Sequence, residues 1–243
     1  MSAKDIIIKP ISSKDANRIC KLHHYSGKVV NNSQLHLGVF YNGRCEGVMQ
    51  FGPSLNRKGT VNLVSNTKFN DFIELNRMSF SDTLPRFSES RAISVAHKII
   101  KKNYPNIKWI ISFADCTECG DGAIYRASGY VLTAIKKNTS MWVNKSTGEK
   151  MQNMQFYHTM TKKTAEWVKM KWYMLRYVYF IDKDYRKNLT VPEIQFSKIA
   201  ELDIGMYKGE YIKRIEHESN AATDHVAESG AIPTDTLHLE VSK

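Results

Sequence analysis

Trp109-Ile110-Ile111-Ser112-Phe113-Ala114 is a nearly continuous apolar run that stops at Asp115. Six residues are too few for an amphipathic helix, and the run has the length and composition of a β-strand covered on both faces. A strand of that kind needs a layer above and a layer below it. The chain is therefore expected to fold as an α/β protein, with a mixed central sheet flanked by helices.

The neighbouring segments supply the other parts. Ile6-Ile7-Ile8 reads as a short buried strand, and Ser12 or Ser13 can cap a helix that turns Ile19 and Leu22 inward and ends near Ser26-Gly27. Leu35–Tyr41 and Cys45–Phe51 flank Asn42-Gly43, two residues that tolerate positive φ, the pattern of a type I′ hairpin. Phe72–Met78 is a further strand. A helix from about Ser88 to Lys102 places Ala92, Val95, Ala96, Ile99 and Ile100 at helical spacing. Ala123–Ala127 is a short helix before a strand over Tyr130–Ile135, and residues 154–160 and 176–181 read as later strands.

Charge bears on partners. The net charge is +11, and residues 214–243 hold six acids (Glu216, Glu218, Asp224, Glu228, Asp235, Glu240) against Arg214 and Lys243, a net −4, which leaves +15 on residues 1–213. A body so basic favours a polyanion, because each neutralised phosphate releases condensed counterions. The domain reading is residues 1–209 as one folded domain and 210–243 as an acidic, flexible tail, in which Leu237-His238-Leu239 could dock as a terminal strand. No stretch approaches the roughly 20 apolar residues that span a bilayer, and Met1-Ser2-Ala3-Lys4-Asp5 has no apolar signal core. The expected setting is intracellular, with no membrane partner. Four cysteines then read as thiols, and the single C-x-x-C of Cys116 and Cys119 lacks the second half-site of structural zinc.

The order strand, helix, hairpin, strand, helix, strand, short helix, strand is also that of the GNAT acetyltransferases, and Tyr125-Arg126-Ala127-Ser128-Gly129-Tyr130 is similar to their Y-x-x-x-G-F segment. The usual GNAT pyrophosphate loop, with its spaced glycines, is replaced here by Arg86-Phe87-Ser88-Glu89-Ser90-Arg91. Together with His24-Tyr25-Ser26, Glu74-Leu75-Asn76-Arg77-Met78, Ala114-Asp115 and Arg176–Lys183, these segments resemble the Mom proteins of bacteriophages over roughly residues 20 to 200. Cys116, Cys119 and the tail fall outside that pattern.

The resemblance implies an acyltransferase-like enzyme that converts adenine in double-stranded DNA to its N6-carbamoylmethyl form and so shields phage DNA from restriction, in the cytoplasm of the bacterial host. It also implies acetyl-CoA binding at Arg77, Ser90 and Tyr125, and an iron requirement associated with His24, Tyr25 and Asp115, the implied catalytic and metal residues. The oligomeric state stays open, a homodimer included. Two other readings remain: a plain GNAT acetylating a small-molecule or protein amine, and a DNA-binding phage protein without catalysis.

Each residue also has a structural reading. His24 and Tyr25 end a helix, where they can cap carbonyls and cover the core. Asp115 can cap a turn, although ligands gather beyond the carboxyl ends of such strands. Arg77, set among apolar neighbours, needs a partner, either Glu74 or a cofactor phosphate. Ser90 can be an N-cap or part of an anion site, and Tyr125 can fill the core. The tryptophans Trp109, Trp142, Trp167 and Trp172, with Tyr173, Tyr177 and Tyr179, read mostly as core. Lys162-Lys163, Lys169, Lys171 and Arg176 interleave with them in a mixture that also suits a nucleic-acid strand.

Overall fold

The computed structural model describes residues 2–24, 26–116, 120–138, 140–159, 166–170, 172–202, 206–207 and 210–211. Its centre is a seven-stranded sheet in the order β1-β2-β3-β4-β5-β10-β6. The early strands are β1 (Ile7–Pro10), β2 (Leu35–Tyr41), β3 (Arg44–Gly52) and β4 (Phe72–Phe80); β5 is Trp109–Asp115, β6 Val131–Asn138 and β10 Trp172–Phe180. All neighbours are antiparallel except β4 and β5, so the sheet is mixed as expected.

Helices cover both faces. On one, α1 (Ser13–His23) packs Ala16, Ile19 and Cys20 against Val48; its N-cap is Ser12, whose hydroxyl accepts from the Asp15 amide at 3.1 Å. Leu22, expected inward, is 64% exposed, because the small Ala16 and Cys20 complete the buried stripe with Ile19 and leave Leu22 on its flank. On the other face, α3 (Ser88–Asn103) buries Ala92, Ile93, Ala96 and Ile100 in the main core with Leu37, Met49, Phe51 and Ile110. The short α4 (Ala123–Ala127) joins that core through Tyr125.

The hairpin turns at Asn42 and Gly43 with φ of 49° and 77°, as the dipeptide requires. β1 differs from expectation: it is an edge strand with Ile7 63% exposed, and Ile6 just before it is the residue buried. Residues 154–160 have the composition of a strand, but α5 (Asn153–Thr159) is a helix. It inserts Phe156 flat against Trp142, 4.1 Å between centroids, while Gln155, Tyr157, His158 and Thr159 stay exposed. One buried aromatic per turn is a helical pattern that a seven-residue stretch does not separate from a strand. This helix caps a small sheet of β7 (Met141–Asn144), β8 (Lys150–Gln152) and β9 (Trp167–Lys169), held by Trp142, Met151, Phe156 and Trp167. The tail readings, including Leu237-His238-Leu239, lie outside the described residues.

Candidate functional site

β4 and β5 are paired at only three positions, Phe72 with Trp109, Ile73 with Ile110 and Glu74 with Ile111. Past Glu74, β4 stays bonded to β3, while β5 stays bonded to β10 as far as Asp115. The strands diverge toward their carboxyl ends and leave a wedge in the sheet, the place where α/β proteins gather ligands. Both chains then pass into helices: β4 leads to α3, and β5 leads to α4.

The lip of the wedge on the β4 side is shaped by a bulge. Gln50 of β3 faces Arg77, yet the next residue, Phe51, faces Leu75, so Asn76 is the extra residue. Strict alternation from Glu74 would send Arg77 to the same face as Leu75; the bulge returns it to the α1 face, beside Gln50. Gln50 is itself tied to that helix, accepting from the Cys20 thiol at 3.2 Å and donating to Asn17 at 3.0 Å. The Asn76 side chain accepts from the Ser33 hydroxyl at 3.1 Å, and Asn32 donates to the Pro53 carbonyl at 2.6 Å. The segment after α1 is thereby laid across Gly52, where a β-carbon would run into the Asn32 carbonyl oxygen and Asn76 Oδ1.

His24, the C-cap of α1, lies within the field of Arg77. Its pKa is pushed down to about 4, by burial first and then by that guanidinium, so the ring is neutral near pH 7. Its Nδ1 accepts the Ser26 amide at 3.1 Å, with the Ser26 hydroxyl at 2.8 Å. An amide can only donate, so the neutral ring carries its proton on Nε2. Arg77 donates from Nη1 to the Asn76 carbonyl at 3.0 Å, while its Nε is buried with no acceptor among the described residues. Leaving such a donor unmet costs about 1–3 kcal/mol, which a bound carbonyl or phosphate oxygen would recover.

Below the wedge, on the α1 face, a cavity of about 520 Å³ lies between the 54–60 segment and the strands. Glu74, Ile111, Phe113, Met174 and Arg176 line it. Asp115 faces Met174 across the β5–β10 ladder and so shares this face. Burial raises the Glu74 carboxyl above the usual range, opposed by hydrogen bonding to Ser54 and Asn76 and by Arg77.

A family model described as the Mom protein family matches residues 5–198. The chain belongs to the Mom family. Within it, a protein named methylcarbamoylase from Escherichia phage Mu is 37% identical over 197 residues, covering 77% of this chain and 80% of that protein. Solved structures resemble it more loosely. A putative acetyltransferase from Salmonella typhimurium with its cofactor acetyl-CoA aligns at a TM-score of 0.46 and 10% identity, over 73% of this chain and 94% of that one. The ribosomal-protein-S18-alanine N-acetyltransferase of Escherichia coli aligns at 0.44 and 12%, over 72% and 94%.

The residues singled out in this Mom chain divide between two faces. His24, Arg77 and Asp115 belong to the α1 face. Tyr125 is buried on the other, its ring 5.1 Å from Tyr177 and 5.3 Å from Tyr130. Ser90 is the third residue of α3, not its N-cap, and its hydroxyl donates to the Phe87 carbonyl at 3.2 Å; the N-cap is Phe87, in the left-handed region. Tyr25 and Cys119 lie outside the described residues.

Arg77 makes no direct ion pair with Glu74 among the described residues; its charge acts on Glu74 at longer range, as it does on His24 and Cys20. The aromatics expected to share in nucleic-acid contact are largely core: Trp109, Trp142, Trp167 and Tyr177 are buried, and Lys169 sits over Trp142 at 5.4 Å. Bases cannot stack on rings already enclosed. Lys162, Lys163 and Lys171 lie outside the described residues.

The iron expectation meets two observations. No group of three His, Cys, Asp or Glu side chains among the described residues is arranged to hold a metal. A metal-ligating imidazole usually donates from its second nitrogen, whereas Nδ1 of His24 accepts, and a cation stands alongside. As they stand, the described residues do not fit an iron site. Glu74 and Phe113 line the cavity although the sequence singles out neither for a site, because one reads as a partner for Arg77 and the other as part of a buried run.

Proposed function

We propose that this protein modifies adenine in double-stranded DNA, giving the N6-carbamoylmethyl base with acetyl-CoA as a substrate, and thereby protects phage DNA from restriction in the bacterial host. Family membership across residues 5–198, with the phage Mu methylcarbamoylase as a relative, carries the reading. Residues 1–209 form the catalytic domain in this reading, with 210–243 as an acidic tail.

The geometry supports it in three ways. Beyond Glu74 and Ile111 the facing edges of β4 and β5 are unpaired with each other and suit an extended thioester arm, and the first turn of the 16-residue α3 suits the cofactor's pyrophosphate, since helix N-termini favour anions. The unmet Nε of Arg77 suits an acyl or phosphate oxygen. Ser90 and Tyr125 would complete the cofactor contacts from α3 and α4.

Adenine's exocyclic amine is a weak nucleophile, paired within the duplex, so the base must be extruded at a cost of a few kcal/mol and shielded from water. His24, Tyr25 and Asp115 are the groups assigned to the chemistry. A neutral His24 can donate a hydrogen bond from Nε2 to a substrate atom near pH 7. Iron joins this reading only if His24 reverses its tautomer, freeing Nε2 and turning Nδ1 into a donor.

The test is direct. The protein is co-expressed with a plasmid, the DNA is digested to nucleosides, and mass spectrometry looks for carbamoylmethyl-deoxyadenosine. Unmodified nucleosides from soluble, well-expressed protein supplied with iron would end the proposal.

A further inference from the structure

The cavity on the α1 face combines features that a packed core avoids. Phe113, between the buried Ser112 and Ala114 of β5, is 38% exposed, and Leu55 on the facing segment is 85% exposed. Apolar surface left open inside a concavity is surface kept for a ligand. The polar groups of the wall are of different kinds. Glu74 offers carboxylate oxygens, and Arg176 offers donors from a guanidinium held by Thr133 at 3.0 and 3.1 Å. Lys136 on the same wall is an exposed cation, and Lys58 is exposed on the segment that faces it, between the lining residues Asn56 and Gly59.

Position matters as much as chemistry. Glu74 and Ile111 are both the last registered pair of β4 with β5 and part of the cavity wall. A planar group seated in the cavity therefore has one edge at the apex of the wedge, where an acyl group carried between the strands would end.

We propose that this cavity receives an adenine ring turned out of DNA, with Phe113 against its face and Glu74 accepting a hydrogen bond from its N6 amine. The inference rests on the reading of the protein as an adenine-modifying enzyme and adds the residues that select the base. An amine donor satisfies a carboxylate, whereas the keto oxygen at the corresponding edge of thymine or guanine would face it with like polarity. Arg176 complements the ring nitrogens, which are acceptors. Lys58 and Lys136 meet the flanking phosphates, and those contacts are blind to sequence. The carboxyl's raised pKa, set by burial, strengthens its demand for a donor.

The experiment measures equilibrium binding of the full-length protein to single-stranded oligo-dA and oligo-dT of equal length, without acetyl-CoA and at several salt concentrations. Wild type should prefer dA by about tenfold, the scale of one good base contact. Glu74→Met should remove that preference. Phe113→Ala, at a partly exposed position that tolerates truncation, should weaken dA binding by roughly five- to tenfold, as expected for one lost stacking partner. Neither change should alter the salt dependence, which counts phosphate contacts.

Equal affinities for dA and dT in wild type, a preference that survives Glu74→Met, or unaltered dA binding by Phe113→Ala would each overturn the assignment. Plasmid modification is scored separately. A dA preference in a protein that leaves adenine unmodified would remove the proposed reaction and keep the cavity's base; modification without any dA preference would do the reverse.

Discussion

Gly122 offers the sharpest test of how the second lip of the wedge is built. It precedes α4 with φ of 68°, and a β-carbon there would lie 2.6 Å from Cε2 and 2.8 Å from the hydroxyl oxygen of Tyr177. Tyr177 cannot withdraw: it is fully buried, and its hydroxyl donates to the Asp121 carbonyl at 2.6 Å. Gly122→Ala therefore carries two costs, about 1–2 kcal/mol for an L-residue in the left-handed region and about 1–3 kcal/mol for overpacking, roughly 2–5 kcal/mol together.

Gly129 separates the two terms. It closes α4 with φ of 80°, the Gly129 amide bonding to the Arg126 carbonyl and the Tyr130 amide to the Tyr125 carbonyl, the pattern of a glycine C-cap. A β-carbon at Gly129 would meet only Tyr179, at an ordinary 3.6 Å. Gly129→Ala should thus cost about 1–2 kcal/mol, the backbone term alone. Guanidinium unfolding followed by circular dichroism measures both, and midpoint shifts at constant slope report stability. Equal losses in the two variants would refute the steric account of Gly122 and Tyr177.

Other outcomes follow from the same geometry. His97 is buried against Tyr179 and held near pKa 3, by burial first and then by Lys183; an unfolded histidine titrates near 6.5, so stability should fall as pH drops from about 6.5 toward 3. His97→Gln should reduce that slope by up to about 1.4 kcal/mol per pH unit, the value for one proton; identical slopes in pH-dependent unfolding curves would contradict the assignment. Arg77→Ala should weaken acetyl-CoA binding by calorimetry at least tenfold, for a lost charge-assisted bond of about 1.5–3 kcal/mol, with a smaller loss for Ser90→Ala; wild-type affinity in both makes these residues structural. His24→Gln and Asp115→Asn should each abolish adenine modification while sparing acetyl-CoA and non-specific DNA binding. Iron titration of wild type and His24→Gln by the same calorimetry checks the ligand assignment, which equal binding would remove.

What could be read in the sequence was what local chemistry decides. Asn42-Gly43 announces its turn because both residues accept positive φ, Ser12 announces a helix start through its side-chain oxygen, and Trp109–Ala114 announces a covered strand through unbroken apolarity. The face presented by Arg77 was not legible, because it depends on one inserted residue, Asn76, whose effect appears only once β3 is laid beside β4. The cavity was hidden for a similar reason. Phe113 looks like its neighbours in sequence, and its exposure arises from the gap that opens beyond Glu74 and Ile111. Short aromatic segments such as residues 154–160 failed because helix and strand share their composition, and the choice is made by the stack on Trp142.

The three-pair contact between β4 and β5 has a mechanical consequence. It is the only seam in the central sheet, among the described residues, between a block of four strands from the first 80 residues and a block of three strands drawn from residues 109–180. Each block is braced internally by long antiparallel ladders, so thermal opening should begin at the seam, like a book along its spine. A ligand bonded to both inner margins would act as a clasp, and its binding energy would be felt as cooperativity between the blocks. Amide exchange at Leu75–Met78 and Ser112–Asp115 should slow together when the gap is filled, although the two stretches share no hydrogen bond.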